Sequence, residues 1–212
     1  MNLLNMNPQE LQEIVTLLKD IITSLAALTA AIVAVLGLKA WKKQLKGKTE
    51  YEMAKSLLEA VYKLKREIEI ARNFMVLAGE IQAALKTMEV EGTVLVPKTQ
   101  ANGLAAVYMT RSNRVRDKLT QLDLTLVEAE TLWGAKVRQA LKPFQFCAYE
   151  LVLNHDYYID HLIKSPDTAY EDIPEGARQI ISDIPETENP FTNKIALAVE
   201  QGENYLKPHL RL

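Results

Sequence analysis

Ile21 to Leu38 reads IITSLAALTAAIVAVLGL, eighteen residues without a charge, a proline or an amide side chain. As a helix it reaches about 27 Å, close to the hydrocarbon thickness of a bilayer. Its only polar side chains are Thr23, Ser24 and Thr29, whose hydroxyls can bond back to the preceding helical turn. No face is polar, so an amphipathic surface helix does not fit. A chain carrying this run must bury it whole in a protein core or place it in lipid.

The flanks favour lipid. Directly after the run come Lys39, Trp41, Lys42, Lys43, Lys46 and Lys48, while Glu10, Glu13 and Asp20 outweigh Lys19 before it. A tryptophan beside clustered lysines marks a cytoplasmic membrane boundary, so Lys39, Trp41, Lys42, Lys43 and Lys46 are read as the membrane interface. The N-terminus is then expected outside and the C-terminus in the cytoplasm, with the segment kept as an uncleaved anchor in the inner membrane. Ala26, Ala30 and Ala34 recur at helical spacing, and small residues four apart let two spans approach closely. One cysteine, Cys147, in 212 residues excludes an internal disulfide framework and suits a reducing compartment. With 48% apolar and 25% charged residues the chain is not a disordered one.

Capping signals frame the anchor. Asn7-Pro8-Gln9-Glu10 offers an N-cap with proline at the first helical position. Gly47 reads as a stop, and Thr49-Glu50-Tyr51-Glu52 as a capping box opening a new helix. Three organisational segments follow: 1–48 as N-terminal segment and anchor, 49–164 as a cytoplasmic helical bundle, and 165–212 as an acidic, proline-containing linker with a C-terminal helix.

The bundle is read from a 4-3 apolar rhythm that appears three times. The stripes are Ala54, Leu57, Val61, Leu64, Ile68, Ala71 and Met75; Val115, Leu119, Leu122, Leu126, Ala129 and Trp133; and Val137, Leu141, Phe144, Ala148, Leu151, His155, Tyr158 and Leu162. A seven-residue repeat keeps one stripe against a neighbouring helix at a shallow angle, as in coiled coils. The expected fold class is all-α, one transmembrane helix followed by an antiparallel bundle of long helices. Thr87 to Gly103 reads as a connection, with Asn102-Gly103 as a turn and Thr93 to Val96 as the best strand candidate. Gly134 separates the second and third stripes, and Pro143 is expected to bend or delay the third helix. From Ser165 to Asn193, four prolines and many acidic residues face a single arginine, which predicts a solvated linker with a short helix near Glu175 to Ser182. A last helix from about Thr192 to Leu206 puts Ile195, Val199 and Leu206 on one stripe.

Chemistry-bearing residues are few. His155-Asp156 with Asp160-His161 is the one cluster of metal-ligand type, but its spacing does not converge on a helix, and His155 reads as a hydrogen-bonded core residue. Cys147 has no basic residue closer than Lys142 and reads as an inert buried thiol. Neither a nucleophile elbow nor a phosphate-cradling glycine loop occurs. No enzyme activity, cofactor or metal is therefore expected. Arg111, Arg114 and Lys118 share one helical face that could meet anionic lipid headgroups. The net charge of −2 disfavours nucleic acid as a partner.

The run WKKQLKGKTEYEMAKSLLEAVYKLKREIEIARN, Trp41 to Asn73, resembles the juxtamembrane helix of uncharacterised bacterial single-pass inner-membrane proteins with a helical cytoplasmic domain. That resemblance implies a bacterial source and brings no reaction or ligand. The expected function is an interaction or scaffold module on a membrane anchor, a homo-oligomer or bound to a partner protein. The alternatives are an effector whose oligomerised spans permeabilise the bilayer, and a membrane-tethered metal-dependent enzyme using His155, Asp156 and Asp160.

Overall fold

The computed structural model describes residues 8–90, 100–165, 170–184 and 188–210. The described chain is all-α, with six helices: α1 (Pro8–Ala71), α2 (Ala78–Val90), α3 (Gln100–Trp133), α4 (Ala135–Lys164), α5 (Glu175–Ile181) and α6 (Pro190–Leu206), then a 3₁₀ turn over Lys207–Leu210. It divides into two units, residues 1–49 and 50–212.

In the first unit α1 is apolar all round from Ile21 to Leu38, and that stretch stands exposed. Thr23 and Thr29 return their hydroxyls to the carbonyls of Lys19 and Leu25, at 2.7 and 2.8 Å, as the sequence implied. That bond hides a polar group without a neighbouring chain. The helix break expected at Gly47 is absent. Thr49 is no N-cap: its Oγ1 donates to the Leu45 carbonyl at 3.0 Å, inside α1. One glycine costs a helix about 1 kcal/mol, too little to stop one that is favoured on both sides. Asn7, the expected first cap, lies outside the described residues.

The second unit is a bundle. From Ala54 the stripe Ala54, Leu57, Val61, Leu64, Ile68 and Ala71 is buried against the stripes of α3, α4 and α6. Each such leucine contributes about 2 kcal/mol on burial. Met75 drops out of the stripe and is exposed, because α1 ends at Ala71. Helices α3 and α4 pair antiparallel, as the contacts Arg116–Asp156 and Tyr108–Tyr158 require. Gly134 joins them with φ of 68°, a conformation glycine adopts without steric cost. Pro143 neither delays nor divides α4. It leaves the Gln139 carbonyl without its helical donor, and exposed Gln139 can take water there.

Asn102-Gly103 is not a turn. Both residues sit inside α3, and a Cβ at Gly103 would collide with the Ile81 side chain of α2. The glycine serves close helix packing, which the dipeptide alone does not distinguish from a turn. Thr93 to Val96 lies outside the described residues. The acidic segment is not wholly solvated either. Ile173 and Ile181 are buried in a second cluster with Tyr108, Tyr158, Ile159 and Leu162. Helix α6 is capped by Asn189, whose side chain accepts from Phe191 and Thr192, and Ile195, Val199 and Leu206 are buried as expected. Gly202 faces Leu141 so closely that a Cβ there would collide with its side chain.

Candidate functional site

Every side chain from Ile21 to Leu38 is exposed, and α1 is the one helix among the described residues long and apolar enough to cross a membrane. Ala26, Ala30 and Ala34 lie exposed along it, as do Lys39, Trp41, Lys42, Lys43 and Lys46 directly after the apolar run. A helix of this kind in water would expose a continuous apolar cylinder, which soluble monomers do not tolerate.

The expected basic face divides. Arg114 is exposed and Lys118 half-buried, donating to Gln121 at 3.2 Å. Arg111 is buried and belongs to the interior, which removes it from any lipid-facing set. Its Nε and Nη2 grip both carboxylate oxygens of Glu80 at 2.7 and 2.9 Å. Nη1 donates to the Asn73 carbonyl at 2.5 Å and Nη2 to the Met75 carbonyl at 3.1 Å. A planar fork with five donors is suited to such a set, and a lysine could not reproduce it.

Arg72, which no sequence signal singled out, does the same work from the other side. It is buried, donates from Nε to the Ile180 carbonyl at 2.9 Å and from Nη2 to that of Gln179 at 3.0 Å, and reaches Thr192 Oγ1 at 2.9 Å. Asp183 stands 3.7 Å away, and the Phe191 ring lies under the guanidinium at 5.0 Å. Burial pushes the guanidinium below its usual range and Asp183 opposes that shift. An Asn73–Asp183 bridge and the bond from Asp183 N to the Arg72 carbonyl add backbone pairing.

The residues of the histidine–aspartate cluster are not brought together. Asp156 pairs with Arg116 at 2.6 Å and Asp160 with Lys164 at 2.8 Å, while His161 Nδ1 lies 3.0 Å from the Tyr157 carbonyl. Among the described residues no three His, Cys, Asp or Glu converge on a metal geometry. His155 is fully buried, edge-on to Tyr108 at 5.2 Å, and neither ring nitrogen has a hydrogen-bond partner. The hydrogen bond expected for a core histidine is therefore not made with regular geometry, and a weaker approach to the Ile181 backbone only partly offsets the effect of burial. Burial lowers its pKa to about 4. Ser112 is likewise buried without a partner. Cys147 is buried and its thiol pushed up by burial, so it remains unreactive.

A surface feature that the apolar stripes did not reveal lies between α4 and α6. An open groove of about 810 Å³ runs past Phe146, Tyr149, Leu153 and Leu197, with Lys142, Glu150 and Lys194 at its edges. Phe146 is 56% exposed, Leu153 and Leu197 67%. Lys194 and Glu150 close on each other at 2.5 Å. No protein-family model, curated protein or solved structure matches the chain.

Two expectations follow from these positions. Arg111→Ala should cost about 3 kcal/mol, since it strands Glu80 and two carbonyls, whereas Arg114→Ala should stay within about 0.5 kcal/mol. Urea midpoints of the two variants in mild detergent measure the contrast, and equal midpoints would contradict the assignment. For His155 the folded pKa lies below the unfolded value near 6.5. The unfolded state then binds the proton first, so stability is complete above about pH 6.5 and falls as pH drops towards 4, by up to about 3 kcal/mol. His155→Leu should remove that part of the pH dependence, read as a flatter unfolding midpoint between pH 6.5 and 4.5 relative to the parent chain.

Proposed function

We propose that the chain is a single-pass inner-membrane protein whose helical bundle lies in the cytoplasm and works by association, with itself or with a partner protein. The observation that carries this reading is the run Ile21 to Leu38, apolar on all sides, fully exposed, and followed by five lysines within ten residues. The bundle supplies its own core, so the run is not needed to complete it. Lysine bias around the span favours a cytoplasmic bundle. An exposed apolar groove on that bundle favours a binding role. The Ala26, Ala30 and Ala34 face supports association of the spans.

Alkaline carbonate extraction of cell membranes tests the anchor: the chain should stay in the pellet, and release into the supernatant would remove the membrane reading. Ala30→Ile tests the span contact. It should reduce crosslinked oligomer in membranes by several-fold, and an unchanged ladder would assign assembly to the bundle alone.

A further inference from the structure

We propose that Lys39, Lys42 and Lys43 form a one-sided docking face for anionic phospholipid headgroups of the leaflet in which the span ends. The proposal rests on the membrane reading above and names the lipid class that the boundary takes.

The three lysines lie at headgroup depth. They follow Leu38 by one, four and five residues in the unbroken helix α1, which sets their Cα atoms about 1.5, 6 and 7.5 Å beyond it. The headgroup layer on each side of the hydrocarbon is about 5 to 7.5 Å thick. Lys46 and Lys48, about 12 and 15 Å beyond Leu38, stand past that layer.

They also lie on one side. At about 100° per residue, Lys42, Lys39 and Lys43 share an arc of about 100°, and Leu38, Trp41 and Leu45 share a separate arc of about 60°. All six side chains are exposed. A boundary that needed only positive charge would be served by lysines anywhere around the helix. Here the cations converge on one side while bulky apolar side chains hold another.

Nothing on the same helix neutralises them. Between Asp20 and Glu50 the chain has no carboxylate, so none of the three has an acidic residue one turn away. Three such ammonium groups complement a phosphodiester of net negative charge, whereas a zwitterionic headgroup brings a cation of its own. Depth selects the lipid over other polyanions. The leaflet already surrounds this face, and an acidic protein or a nucleic acid would have to displace headgroups to reach it.

Electron paramagnetic resonance of spin-labelled lipids, with the full chain reconstituted in phosphatidylcholine vesicles, tests the proposal. Spin-labelled phosphatidylglycerol should be motionally restricted by the chain at least about threefold more strongly than spin-labelled phosphatidylcholine. The variant K39Q/K42Q/K43Q should bring that preference to within about 1.5-fold of parity. The variant K39A/A40K/K43Q/Q44K keeps composition and net charge but spreads the lysines around the helix, and should lose at least about half of the preference. Parity in the parent chain, or a preference unchanged in the triple variant, would overturn the lipid assignment and leave the anchor. A preference lost in the triple variant but kept in the rearranged one would overturn the one-sided face. A chain that neither floats with the vesicles nor restricts either lipid would overturn the membrane reading as well.

Discussion

Two buried guanidiniums fix where the first helix ends, and the arrangement of the bundle depends on that corner. Beyond Ala71 the chain must turn, and turning leaves backbone carbonyls that a helix would have paired internally. Arg111 takes those of Asn73 and Met75, and Arg72 takes those of Gln179 and Ile180 at the end of α5. Burying a charge is costly unless it is saturated with partners. Here Arg111 gains both Glu80 oxygens, and Arg72 gains Thr192, Asp183 and the face of Phe191. The same two side chains thus tie α1 to α2 and α3 on one side and to α5 and α6 on the other.

The long helices were legible because their stabilisation is periodic. In the third stripe, all eight residues from Val137 to Leu162 are buried, and in the second only Trp133 is partly exposed. A heptad pattern reports which face a helix turns to a neighbour, and here those neighbours lie in the same chain. The corner was not legible for the opposite reason. Arg111 finds its partners 31 to 38 residues away and Arg72 finds its own 107 to 120 away. In the sequence both look like ordinary surface arginines, and Arg111 looked like one of a basic face. Asn102-Gly103 misled in the same manner, since a glycine that admits Ile81 and one that turns the chain are written alike.

The helix α1 changes the distribution of its apolar side chains along its length. From Ile21 to Leu38 no charge interrupts its circumference, and the hydroxyls of Thr23 and Thr29 are satisfied by the helix itself. From Ala54 the apolar residues withdraw to a single stripe and charges such as Glu59, Lys63 and Glu69 take the remaining surface. The backbone hydrogen bonds are the same in both stretches. What differs is where the side chains find favourable surroundings: around the whole cylinder in the first, along one face in the second. This contrast, rather than length alone, separates a candidate span from a long bundle helix, since α3 is also long, with 34 residues, but buries the stripe Val115, Leu119, Leu122, Leu126 and Ala129.

In α4 two apolar stripes coexist, and only one of them is explained by the fold. The inner stripe, with Leu141, Phe144, Ala148 and Leu151, meets α1, α3 and α6 and is closed. The outer stripe, with Phe146, Tyr149, Leu153 and Tyr157, contributes less to folding, because its side chains stay largely in water after the bundle is complete. Large apolar side chains in such a row lower solubility and invite unwanted contacts. A row like that is retained more readily when something covers it. Reading one stripe per helix conceals the second, because Lys142, Glu150 and Asp160 interleave with the apolar positions and make the face look solvated.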